Sequence, residues 1–167
     1  MSEKMEKCVI QPLQEKDFDG FVKIFSDYFV DEMKFADDKE KFCNFAKEFI
    51  VNQQYAEKII LIDLAKFGEE IAGFIIYQID SERSDWCERP GVGFIREFYV
   101  APAHRRKNLG SLLIKRADEM LKKMGANDVY LASAKDEGVI TFYEKNGYRK
   151  TGQQNEDGQE IMEKELD

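Results

Sequence analysis

The chain has 167 residues, of which 43% are hydrophobic, 13% aromatic and 35% charged, with only three prolines. That apolar mass can offset the entropy of ordering the chain, which excludes a disordered, collagen-like or low-complexity protein, and the length suits one domain over residues 1–167. A net charge of -8 runs against a general nucleic-acid binder, and three scattered cysteines with a single histidine run against a disulfide framework, a metal centre or a Ser-His-Asp triad.

The N-terminus, MSEKMEKC, lacks the apolar stretch of a signal peptide, and no window approaches the roughly 18 apolar residues of a membrane span. The chain is therefore expected to be soluble and cytoplasmic, with reduced thiols and no membrane partner. Cys8–Leu13 reads as a short strand closed by Pro12. Glu15 to Asp17 open a helical pattern in which Phe18, Phe21, Val22, Phe25, Tyr28 and Phe29 form one stripe, read as core packing. A second helix follows the capping pair Asp37 and Asp38, with Phe42, Phe45, Ala46, Phe49 and Ile50 inward. Between them, Val30–Ala36 is free to face a ligand.

Ile59–Leu64 is apolar and β-branched, Lys66–Glu70 with Gly68 reads as a hairpin turn, and Ile71–Ile79 is apolar enough for a central strand. Asp80–Pro90 is a polar loop holding the only tryptophan, Trp86, and Gly91–Val100 is another long strand. Lys107–Met124 is the clearest helix, capped by Gly125. Val129–Ala132 is a short strand, Val139–Lys145 a short helix stopped by Gly147, and two last strands flank the Asn155–Gly158 turn. The alternation of strands and helices gives a mixed α/β class.

The informative segment is Phe94–Ser111, FIREFYVAPAHRRKNLGS, where a strand passes through a basic loop into a helix. A helix N-terminus presents unpaired N–H groups and the positive end of its dipole, so the loop can cradle phosphate. Seven Lys or Arg against two acids in residues 105–123 leave +5 there and -13 elsewhere. A solvated basic helix face explains the same charge. Neither GxxxxGK[ST] nor a strand-borne GxGxxG is present, which argues against a P-loop or dinucleotide site.

Arg105-Arg106-Lys107-Asn108-Leu109-Gly110 resembles the R/Q-x-x-G-x-G/A loop of the GCN5-related N-acetyltransferases, FYEKNGY resembles that family's FYxKxGF segment, and IMEKEL its last strand. Asn108 departs from the first motif glycine, and Asp136 stands where an asparagine is common. The resemblance implies a twisted, mostly antiparallel sheet of six to seven strands flanked by about four helices, with splayed central strands. It implies acetyl-CoA as co-substrate and no metal. The pantetheine arm would pair with the backbone of Phe98, Tyr99 and Val100. The pyrophosphate would sit on Arg105, Arg106, Lys107, Asn108, Leu109, Gly110 and Ser111, with Asp136 nearby.

Direct attack of an amine on the thioester, in a ternary complex, needs a base and an acid. The family position of the acid is Tyr143, whose alternative is aromatic packing. Glu97 is the base candidate, its alternative a sheet carboxylate paired with Arg96 or a neighbour. Strand alternation puts Glu97 on one face with Ile95 and Tyr99, unless a bulge of the kind frequent in the family shifts the register. His104 is read as ordering the basic loop. The expected acceptor is a primary amine on a small, cationic molecule, with no nucleic-acid partner and allowance for a homodimer. A protein or peptide acetyltransferase and a catalytically idle acyl-CoA-binding domain are the alternatives. The acceptor would be shaped by Val30–Ala36, Asp80–Pro90 and the last hairpin.

Overall fold

A computed structural model describes residues 7–167, so the leader reading of MSEKMEKC falls mostly outside the described residues. Seven strands form one sheet: β1 (Cys8–Pro12), β2 (Leu61–Phe67), β3 (Glu70–Ile79), β4 (Gly93–Val100), β5 (Asp128–Ser133), β6 (Arg149–Gln154) and β7 (Glu160–Glu165). Their spatial order is β1-β2-β3-β4-β5-β7-β6, and every pairing is antiparallel except β4 with β5. The helices are α1 (Phe18–Ser26), α2 (Lys39–Phe45), α3 (Leu109–Lys123) and α4 (Glu137–Lys145).

Period-2 alternation in the central strands assigns the two faces. Phe74 and Ile76 of β3 turn toward α1 and α2, joining Phe21, Phe25 and Phe42 in one core cluster. Ile75 and Tyr77 turn the other way, onto Leu113, Ile114, Ala117 and Leu121 of α3. A strand buried on both faces must be apolar throughout, as Ile71–Ile79 is.

Five boundaries differ from the sequence reading. Beyond Ser26 the first helix widens into π-helical turns over Asp27–Glu32, and beyond Phe45 the second widens over Ala46–Tyr55; such turns follow from tertiary packing and have no sequence signature. Lys66 lies within β2 rather than in the turn, because the buried Asp17 carboxylate meets its ammonium at 2.7 Å. β4 starts at Gly93, since the Gly91 N–H and the Val92 carbonyl close a turn on the Asp80 backbone. α3 starts at Leu109, because Asn108 has φ 64, which a right-handed helix cannot contain.

Candidate functional site

β4 pairs with β3 along its whole length, yet it pairs with β5 only through Gly93–Val129 and Phe94–Tyr130. Past Phe94 the two strands diverge, and a cavity of about 1020 Å³ fills the gap between Ile95–Val100 on one side and Leu131–Ala134 on the other. The backbone edge of β4 facing β5 therefore lacks a ladder partner over Phe98–Val100. The parting strands leave the cavity open to both faces of the sheet. Tyr28 and Tyr99 line it on the α1 side, and Phe142 and Tyr143 on the α4 side.

One end of the cavity is built from backbone. After β4 the chain turns at Pro102–His104 and then passes Arg106 and Asn108, both left-handed with φ 66 and 64. Asparagine accepts that conformation better than most residues, so the turn survives without the motif glycine. Among the described residues the N–H groups of Arg106 to Ser111 find no acceptor; the first to do so is that of Leu112, bonded to the Asn108 carbonyl at 3.3 Å. Gly110 is required by space: a Cβ there would stand 3.0 Å from Phe98 Cζ and 3.1 Å from Phe142 Cζ. Those two rings stack at 5.6 Å and 11°, and Asn146 ties α4 to α3 through Ser111 Oγ at 3.3 Å.

The side chains of this loop divide in direction. Arg106 lines the cavity. Arg105 also borders it, but its Nε donates to the Val100 carbonyl at 2.9 Å and its Nη2 to Glu32 at 3.0 Å. Lys107 turns outward, its ammonium 5.6 Å from the centre of the Phe67 ring. His104 stacks on Phe67 and meets Glu70 at 2.8 Å, which anchors the start of the loop as its order-giving role anticipates. Asp136 borders the cavity and caps α4 by accepting the Val139 N–H at 3.1 Å.

The middle of the cavity holds the titratable groups. The β3–β4 register slips by one residue, so that Ile76 opposes Glu97 while Tyr77 opposes Ile95, and Arg96 is left over as a bulge. This corrects the simple alternation: Glu97 keeps a face with Tyr99, whereas Ile95 packs on the opposite side with Tyr77 and Leu113. Arg96, freed from the ladder, grips Asp85 with both terminal nitrogens at 2.8 and 3.2 Å. Burial pushes the Glu97 carboxyl up to about 7 against the pull of the Arg96 guanidinium.

Tyr143 is buried in α4, edge-on to Phe142 and Tyr148, and its hydroxyl has no hydrogen-bond partner among the described residues. Burial first, then Tyr28 and Glu97, raise its pKa well above the usual tyrosine range. Tyr28 is itself pushed up to about 12, by burial and then by Glu97 and Glu32. Glu97, Tyr28 and Tyr143 thus feel one another electrostatically, although they come from three elements on two faces.

At the other end three separate segments meet: Glu32, Met33 and Phe35; Trp86; and Asn155, Asp157 and Gln159. These fall in the three stretches expected to shape an acceptor. The structure thus gathers Glu97, Phe98, Tyr99, Val100, Arg105, Arg106, Asn108, Leu109, Gly110, Ser111, Asp136 and Tyr143 around one cavity and leaves the Lys107 side chain outside it. Sequence reasoning missed Tyr28, whose ring lies 4.6 Å from that of Tyr99. Its signal was a hydroxyl in an otherwise apolar stripe. Among the described residues no cluster of His, Cys, Asp and Glu could hold a metal ion, and no helix is long and apolar enough to cross a membrane.

A family model described as the acetyltransferase (GNAT) family matches residues 18–148. Among curated proteins, the chain is similar to an aminoglycoside N(6')-acetyltransferase type 1 of Acinetobacter haemolyticus, 28% identical over 103 residues, covering 60% of this chain and 70% of the other. Among solved structures it is similar to the PaiA N-acetyltransferase of Thermoplasma acidophilum in complex with coenzyme A, with a TM-score of 0.71, 20% identity and coverage of 95% and 99%. It is also similar to a histone acetyltransferase HPA2 and related acetyltransferase from Corynebacterium glutamicum, with a TM-score of 0.73, 17% identity and coverage of 96% and 97%. At these identities the two structures attest to the shared fold.

Proposed function

The chain belongs to the acetyltransferase (GNAT) family, whose members draw on acetyl-CoA, and on that premise we propose that it acetylates the primary amine of a small cationic acceptor by direct attack in a ternary complex. The observation that carries this reading is the union, in one cavity, of a backbone N–H cradle with a carboxyl and a hydroxyl of raised pKa. The residues present fit acetyl-CoA. The N–H groups of Arg106 to Ser111 would hold its pyrophosphate, Arg106 would add charge, and the free edge of Phe98, Tyr99 and Val100 would pair with its amide arm. A Cβ at residue 110 would press on the rings that floor the cradle.

When bound, acetyl-CoA supplies the thioester carbonyl that an amine attacks and the thiol that leaves. Glu97 takes the proton that an incoming ammonium must lose before its nitrogen has a lone pair to offer. A carboxyl poised near 7 suits that task at neutral pH, since the best base has a pKa close to the working pH. Tyr143 stays protonated throughout that range, so its hydroxyl can donate to the departing sulfur. The -13 carried outside residues 105–123 favours approach of a cation.

The test combines calorimetry of acetyl-CoA binding with release of free CoA thiol in the presence of an amine panel. Binding together with amine-dependent release is the expected result. Replacing Arg106 with Glu should weaken acetyl-CoA binding by about tenfold and flatten its salt dependence, as loss of a charge-assisted contact does. A native protein that does not bind acetyl-CoA would overturn the reading.

A further inference from the structure

The acceptor end of the cavity is poor in available negative charge. Glu32 is engaged with Arg105 at 3.0 Å, and Asp136 lies at the cradle end, where it caps α4. Glu97 is pushed up to about 7 by burial, which makes it a good proton acceptor and a poor permanent counter-ion. Asp157, exposed on the last hairpin, is the remaining carboxylate in the lining.

Apolar surface is plentiful there. Tyr28, Phe29, Met33, Phe35, Trp86 and Phe94 all border the cavity. Phe35 is 74% exposed and Trp86 44%, although water disfavours both side chains. Trp86 lies 6.4 Å from Phe94 at 20°, and Phe94 lies 4.6 Å from Tyr130 at 17°, so three near-parallel rings end at the cavity on a half-uncovered indole.

That indole is not a loose loop tip. Gln78 donates through one nitrogen to the Trp86 carbonyl and to Asp80, both at 2.8 Å. Asp80 is buried and also accepts the N–H groups of Glu88 and Arg89 at 3.1 Å, together with the Tyr130 hydroxyl. The loop is pinned on both sides of the tryptophan, so the platform is ready before a ligand arrives.

Building on the acetyl-transfer reading, we propose that the acceptor is an arylalkylamine: a single ammonium on a short alkyl stem, joined to a planar apolar ring that stacks on Trp86. A planar ring finds a parallel aromatic face, and one amine finds one base. A polycation would bring further ammonium groups that the lining leaves almost without partners, and each would lose hydration for nothing.

The test compares phenethylamine and tryptamine with spermidine and kanamycin at saturating acetyl-CoA, following thiol release. The aryl amines should show kcat/KM at least about tenfold above the two polycations. Trp86→Ala should raise KM for phenethylamine about tenfold, a loss in the range expected for a stacked aromatic pair with its buried area, while n-butylamine changes less and Trp86→Phe restores most of the loss. Turnover of spermidine or kanamycin ahead of the aryl amines would overturn the proposal and leave acetyl transfer standing. An unchanged KM in Trp86→Ala would overturn it too. Absence of acetyl-CoA binding in calorimetry would remove the underlying reading, and this inference with it.

Discussion

The two ends of the cavity are made of different material. The end near α3 is backbone: consecutive N–H groups, two left-handed residues and a glycine, contributed by one unbroken stretch from Arg105 to Ser111. The end near α1 is side chains from Phe29–Phe35, Trp86 and Asn155–Gln159, which are far apart along the chain. Backbone donors are the same whatever the side chain, so the first end tolerates substitutions that preserve φ and space. The second end changes with every residue. Glu97, Tyr28 and Tyr143 stand at the junction of the two.

The largest effect should come from that junction. Glu97→Gln removes the proposed base while keeping the shape, and at pH 7 it should lower kcat/KM by about 10²-fold or more, as loss of general-base help does. The gap should close above about pH 9, where the acceptor is increasingly a free amine, and the native acid limb near 7 should vanish from the profile. Stability should move the opposite way. A carboxyl raised from 4.5 to about 7 holds in the folded state a proton that the unfolded chain releases, so native stability falls as pH rises through that window. Glu97→Gln should abolish this decline and melt above the native protein at about pH 8 by scanning calorimetry.

Tyr143→Phe should lower kcat by about tenfold or more with acetyl-CoA affinity nearly unchanged, the pattern of an interaction gained only in the transition state. Its ring keeps its edge contacts with Phe142 and Tyr148, so thermal stability should hold. An unchanged kcat would make Tyr143 a packing residue and assign the proton to another donor.

The smallest effect sharpens the contrast between the two ends. Asn108 contributes a left-handed backbone and no side-chain cap. Asn108→Gly should therefore leave acetyl-CoA binding and stability almost unaltered. Asn108→Val forces a β-branched residue to φ 64 and should cost about 1–2 kcal/mol, visible as a fall of a few degrees in the melting temperature. An equal loss of acetyl-CoA binding in the two variants would mean that the cradle depends on the asparagine side chain and not on its backbone alone.

The same contrast explains what could be read along the chain. Strands, helices and the basic loop were legible because each depends on neighbours in sequence: apolar runs in β2 and β3, the apolar stripe of α3, the charge of Arg105 to Lys107. The motif residues around the cradle followed, since one local turn creates it. Less legible was anything that depends on register between strands. Simple alternation paired Glu97 with Ile95, and the Arg96 bulge separated them, because a one-residue slip moves a side chain to the other face of the sheet. The basic loop was legible as charge and not as direction: Arg105 answers to Glu32, 73 residues away, and Lys107 to the Phe67 ring.

The amino-acid sequence by itself thus determined the class of fold and the basic cradle, since local periodicity, turn chemistry and residue type are properties of short segments, while the family resemblance pointed to Glu97 and Tyr143. Only the tertiary structure decided that Glu97 is buried enough to rise to about 7, that Tyr28 belongs to the site and not to the core alone, and that Trp86 ends a stack facing the cavity. Burial, electrostatic coupling and stacking are relations between segments, set by where β4 parts from β5, and no single segment contains them.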